Sequence, residues 1–486
     1  MPDFGFVGGS YEAPSIYQDA QECINFYPEI DPTKAPGERG VIALYPTPGL
    51  VEKLSLYEAP VRGMRALSGS QWLLVVVGNR VYSVTTAFVA TQIGTISTNT
   101  GSVNITDTVT TNNGLTAYIV DGSNRYAWVA STNVFSMVSD GLWPGATSCD
   151  TVDNYVVYNE PNTQNWAATD LGLVVTTTGN YGTKDGSPDT LIGLIVDHRQ
   201  VYLLGEVTTE VWVDVGNTIQ GITTFPFQRV SGTTMQHGCA ALYSIARFGE
   251  SFMFVSRDTR GKSIIGQVNG YQFERKSTHA VENSLIGVDV SNAVAYTYQI
   301  EGHEFYVVTF PNADLTWVYD LASGYWHKWL SWDSVNGFYR HRSNCAAAFA
   351  GYNLVGDYEN GKIYALDNTV YTDNGNTIRR LRRAVHLTSD LQRQFFEEFQ
   401  IQFQPGVGLQ NGQGDDPQVM LRWSNDGGST WSNEHWVSIG KIGRYQNRAM
   451  WRRLGWSRDR IFEVAVSDPI NAVIVSANLK ASVGDN

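Results

Sequence analysis

Cysteine is scarce and scattered: four in 486 residues, at Cys23, Cys149, Cys239 and Cys345, with no Cys-x-x-Cys pair. A disulfide framework needs more numerous or closer thiols, so these read as free cysteines of a reducing compartment. Charge is thin as well. Asp, Glu, Lys and Arg make up 17% of the chain, and the net −13 excludes a surface that clamps nucleic acid nonspecifically. Apolar runs such as Trp72–Val77 fall far short of the roughly 20 residues that cross a bilayer. The segment MPDFGFVGGSYEAP has neither a basic n-region nor an apolar h-region and so is no secretory signal. Without that route the sequon Asn104-Ile105-Thr106 is a chance match. There is no G-x-x-x-x-G-K-[ST], no H-E-x-x-H and no G-x-S-x-G. Helical periodicity is nearly absent, and no membrane span, metal site or cofactor is expected.

What the chain has is aromatic residues (14 Trp, 25 Tyr, 20 Phe) and 47 glycines, the stock of short strands and tight turns. An alternating run of Val, Tyr, Leu and Trp, a polar turn and a second alternating run recur as hairpins. Examples are WLLVVVGNRVYSV, AYIVDGSNRYAWVA and VYLLGEVTTEVWVDVG. Seven such hairpins start at 72, 117, 154, 201, 251, 305 and 353. That spacing of roughly 40–50 residues is what a four-stranded propeller blade needs. The spacing is irregular and no strict WD or kelch signature appears, so an antiparallel sandwich array is the competing architecture. The expected fold is all-β: a β-propeller of six or seven blades over 56–375, with a β-sandwich-like platform. Residues 1–55, Pro-rich and extended, form an arm that completes the platform, and 376–486 form its main body as a docking domain.

The platform carries the strongest local signals. From Arg379 to Arg460 there are 13 Lys/Arg against 8 Asp/Glu, a balance of +5, which leaves −18 for the rest. Ten arginines in it, Arg379, Arg380, Arg382, Arg383, Arg444, Arg448, Arg452, Arg453, Arg458 and Arg460, form a candidate assembly interface on an exposed sheet face. Within the same module Ser424, Asp426, Gly428, Thr430 and Trp431 complete an Asp-box, S-x-D-x-G-x-T-W. That motif is best known from sialidases, whose Arg triad grips a carboxylate. It therefore raises an alternative, a glycan-active propeller that hydrolyses or binds sugars. A single copy outside the hairpin repeat favours a turn device, in which the Asp accepts backbone N–H groups and Gly permits positive φ. Glu206 and Glu210 could serve a hydrolase as a carboxylate pair, but a polar turn in a propeller rim is the default reading. His237-Gly238-Cys239 lacks further ligands and reads as structural.

Four segments in order, CINFYPEI…LYPTPGL, DTLIGLIVDHRQVYLLGEVTTEVWVDVG, MQHGCAALYSIARFGESFMFVS and MWRRLGWSRDRIFEVAVSDP, span nearly the whole chain. Together they resemble the tail-nozzle, or packaged-DNA stabilisation, proteins of short-tailed bacteriophages. The resemblance implies a non-enzymatic virion component, made and assembled in the host cytoplasm, with a propeller joined to a platform built from both chain ends. It implies self-association into a ring, a hexamer, below the portal and its adaptor ring. The ring encloses the DNA exit channel and docks a tail fibre or tailspike and a needle or plug. Double-stranded DNA passes through without sequence-specific binding. The Asp-box region varies in that family, so no function is carried onto Asp426.

Overall fold

The apolar run Trp72–Val77 fails to alternate because both of its faces are covered. Leu73, Val75 and Val77 pack with Leu354, Ile363 and Ala365 of one neighbouring sheet. Leu74 and Val76 pack with Ala117, Ile119 and Trp128 of the other. The same division recurs one sheet on, where Tyr118 and Val120 face away toward Val156 and Tyr158. Each sheet thus buries itself only between two neighbours, which is the physical definition of a propeller.

In this computed structural model, residues 5–34, 41–216, 225–257, 261 and 263–484 are described, with the short strands Thr218–Ile219 and Ile222–Thr223. Successive antiparallel sheets span 61–95, 104–137, 149–183, 191–229, 238–275 and 294–328. A seventh contains Ser343–Phe349, Tyr352–Asp357 and Lys362–Asp367. Its innermost strand, Ser343–Phe349, lies between Val294–Ile300 and Val61–Ala66, so the ring is closed with seven blades. The outermost strand of that last blade is Gly49–Ser55, antiparallel to Lys362–Asp367. The sequence pattern places these residues in the arm. They enter the propeller because the edge of the final hairpin needs a partner, and Leu50 and Val51 present an apolar strand to it.

The platform is a two-sheet sandwich. One sheet runs Arg380–Arg383, Asp459–Val466, Gln418–Ser424, His435–Ser438. The other runs Phe26–Ile30, Ile42–Pro46, Ile474–Val483, Gln394–Phe403, Ala449–Arg452. Between them lie Phe26, Phe396, Phe399, Trp451 and Phe462, with Phe399 and Phe462 stacked at 4.7 Å. Strand Ala20–Ile24 pairs antiparallel with Arg380–Arg383 and parallel with Trp326–Lys328. A single sheet therefore runs without a break from the sixth blade into the sandwich. The only α-helix among the described residues is His279–Asn283, capped by Thr278.

Candidate docking surface

The hairpin of Gln418–Ser424 and His435–Ser438 is turned by the Asp-box. Ser424 Oγ donates to Asp426 Oδ1 (2.7 Å) and accepts from the N–H of Gly428 (2.8 Å). Asp426 also accepts from the Thr430 N–H (2.8 Å) and hydroxyl (2.6 Å). The Thr430 hydroxyl, then Ser424, pull the Asp426 carboxyl down to about 2. Gly427 and Gly428 take φ of +68° and +99°, which non-glycine residues rarely adopt. Every polar group of the motif is used by the turn. Trp431 also serves the sheet below, because its ring lies over the guanidinium groups of Arg383 (4.9 Å) and Arg422 (4.8 Å).

Beneath that ring runs a line of charges. Buried Glu463 meets Arg383 at 2.9 Å and Arg422 at 2.5 Å. Arg383 also meets Glu22 of the arm at 3.2 Å, and Glu22 meets Lys328 of the sixth blade at 2.7 Å. Burial alone would raise the Glu22 carboxyl, yet Lys328 and Arg383 together hold it below the ordinary range. The charges thus follow the continuous sheet from blade to arm to sandwich.

The ten arginines expected on one exposed face divide into groups. Arg380, Arg382 and Arg460 are buried, a correction to that expectation. Arg382 donates to the carbonyls of Phe6 (2.6 Å) and Gly9 (2.8 Å) and to the Gln21 amide oxygen (2.7 Å), fastening the arm. Arg460 sits against Phe396 (4.3 Å) and donates to Asn425 and to the Leu454 carbonyl (2.6 Å). Burial lowers both guanidiniums to about 10. Alternation alone did not reveal which face they take, because a guanidinium can go inward wherever carbonyls surround it. Arg379 is part-buried against Glu434 (2.7 Å) and Arg383 is half-buried in the line just described. Arg444, Arg448, Arg452, Arg453 and Arg458 are exposed. Arg452 pairs with Glu398 at 2.9 Å, and Arg458 donates to the Leu391 carbonyl at 2.8 Å.

Asn25 went unremarked in the sequence, although it joins all three parts. It sits at the elbow between Ala20–Ile24 and Phe26–Ile30, fully buried with φ +57°, a conformation Asn tolerates. Its amide donates to the carbonyls of Leu330 and Arg379, each at 2.8 Å, and accepts from the Leu330 N–H at 2.8 Å. A second tie joins His303 of the sixth blade to Asp320 (3.0 Å) and, through its other nitrogen, to Glu29 of the arm. The Asp320 hydrogen bond outweighs burial and raises His303 to about 9.

The remaining candidates are structural in place and partners. Glu210 is buried and accepts from the Gly186 N–H (2.7 Å), whereas Glu206 is exposed, so they do not form a facing pair. His237 stacks on Phe273 at 4.3 Å, and burial lowers its pKa. Cys239 donates to the Ala241 carbonyl, and burial pushes its thiol up to about 12. All four cysteines are free. Among the described residues no three His, Cys, Asp or Glu side chains converge as a metal site. A cavity of about 340 Å³ lies where the innermost strands meet. Its charges are paired or saturated: Arg247 meets Asp150 at 2.9 Å, and Arg62 donates to the carbonyls of Gly78, Thr98, Gly101 and Thr100.

Residues 20–371 match the family described as bacteriophage P22 Gp10, β-propeller, and residues 379–482 the one described as bacteriophage P22 Gp10, β-sandwich. This chain belongs to the P22 Gp10 family. Like that family, it is a structural protein of a phage tail, a component of the virion. The boundary between the two matches falls at 371–379, beside the first sandwich strand, Arg380–Arg383. Among solved structures, the N-terminal domain of Nup159 is 10% identical with a TM-score of 0.41, covering 71% of this chain and 98% of its own. The RRP9 WD40 repeats are 8% identical with a TM-score of 0.40, covering 66% of this chain and 99% of their own. No curated protein matches the Gp10-family chain.

Proposed function

We propose that the chain is a non-enzymatic tail nozzle. Copies of it form a ring, a hexamer, around the DNA exit channel, retain the packaged genome and dock an adaptor ring, a fibre or tailspike and a needle or plug. The family match across both modules, in order, carries this reading. The charge balance supports it: a conduit that held phosphates through many basic contacts would add a salt-dependent grip to the moving DNA. The chain outside 379–460 carries −18, and an acidic wall lets DNA slide. The glycan-active alternative leaned on the Asp-box, whose side chains are all used by the turn and the arginine line beneath it. Electron microscopy of particles should place this chain in a ring at the tail. Particles lacking the chain altogether, or cleavage of a sialoside by the purified protein, would overturn the reading.

A further inference from the structure

The outer face of the second sandwich sheet ends in a patch that the chain leaves uncovered. Leu391, Phe395 and Trp456 are 67%, 44% and 50% exposed. Phe395 lies opposite Trp456, which puts both rings on the outer face, and Arg458 beside them donates to the Leu391 carbonyl. On the adjoining strands and turns Arg452 and Lys480 are paired with Glu398 and Glu397, so the excess positive charge lies with Arg393, Arg453 and Arg458 against Asp390. Arg393 lies over the Trp456 ring at 4.7 Å.

The propeller carries the complement. Turns of the fourth, fifth and sixth blades form a cleft of about 910 Å³ that contains Asp197, Glu250 and Glu304. A second cleft of about 420 Å³ adjoins it, sharing Glu304 and Leu321 and adding Glu301. Among the described residues no lysine or arginine lines either cleft, and the two histidines that do are each bound to carboxylates, His198 to Asp197 and His303 to Asp320 and Glu29. Tyr271 and Leu321 are 42% and 40% exposed there, so the acidic surface has an apolar floor. Sign and character both match the sandwich patch.

We infer that the occupant of the sandwich patch is a second copy of this chain, seated by its acidic propeller clefts. This deepens the ring reading above and rests on it. Two basic patches cannot face each other about a two-fold axis without repulsion, and two acidic clefts cannot either. Contact between unlike surfaces is heterologous, and heterologous contacts repeat around a ring or along a filament rather than stopping at a dimer. Charge complementarity of this kind sets register and partner choice. The apolar centre, Trp456 and Phe395 against Tyr271 and Leu321, supplies the desolvated area.

The test is a charge exchange read in particles. Arg453→Glu with Arg458→Glu reverses the patch, and Glu250→Arg, Glu301→Arg and Glu304→Arg together reverse the clefts. Four of the five positions are exposed and Glu304 is half-buried, so each variant should fold with a melting temperature close to wild type as a free chain. Either reversal alone should lower incorporation into purified particles by at least about 100-fold. Combining both reversals in one chain should restore it, as should co-expression of the two reversed chains, because each then meets a complementary neighbour. Single reversals that incorporate like wild type, or a combined reversal that does not recover, would overturn the inference while leaving the tail role intact. Wild-type chain missing from particles would instead overturn the tail role.

Discussion

At the scale of single residues, the junction depends on groups that no motif announces. Replacing Asn25 by Ala would leave the Leu330 and Arg379 carbonyls and the Leu330 N–H buried without partners. At about 1–3 kcal/mol for each orphaned group, the loss should be about 3 kcal/mol or more, read as a lower urea midpoint at unchanged slope. His303 sets a pH dependence. Its folded pKa of about 9 lies above the unfolded value of about 6.5, so the bound proton stabilises the fold. That contribution is complete below about pH 6.5 and lost as pH rises through about 9. Melting temperature should therefore fall between pH 7 and 10, and His303→Gln should flatten the fall. Asn25 stood in plain view inside CINFYPEI, yet its role depends on carbonyls more than 300 residues away. Likewise, the inward turn of Arg380, Arg382 and Arg460 follows from tertiary surroundings, which periodicity does not encode.

At the scale of elements, hairpins were legible and their closure was not. The runs at 72, 117, 154 and 201 announce strands because each alternate residue meets a different neighbouring blade. Nothing in GLVEKLS says that it completes a hairpin more than 300 residues on, since pairing partners across such distances leave no local pattern. Exchanging residues 49–55 for a Gly/Ser stretch would expose the edge of Lys362–Asp367. The expected outcome is self-association by edge pairing, seen as a rise in light scattering, with an earlier melt. A variant that stays monomeric and melts as wild type would show that the last blade closes without this strand. The Asp-box was legible as a turn from its residue types alone. Its second role, covering Arg383 and Arg422, needed the sheet to bring those arginines beneath Trp431.

At the scale of the whole molecule, the two modules share a sheet rather than a linker. Ala20–Ile24 is bonded to the sixth blade on one side and the sandwich on the other, and Lys328, Glu22, Arg383 and Glu463 follow the same path. Propeller and platform should then unfold in one calorimetric transition instead of two, with calorimetric and van't Hoff enthalpies in agreement. Two resolved transitions would mean that the shared strand does not couple them. A joint of this kind holds the two modules together, whereas a flexible linker would let each tilt alone.

The strand Gly49–Ser55 also imposes an order on synthesis. It leaves the ribosome early, but its partner Lys362–Asp367 follows some 310 residues later. At about 5–20 residues per second, the wait is on the order of 15–60 s. Through that interval the propeller is an open arc whose end blades each leave one apolar face uncovered, and the arm has no partner in the second sandwich sheet until Ile474–Val483 is made. The last blade is therefore complete only once Lys362–Asp367 has been made, and closure of the ring is a late event in synthesis.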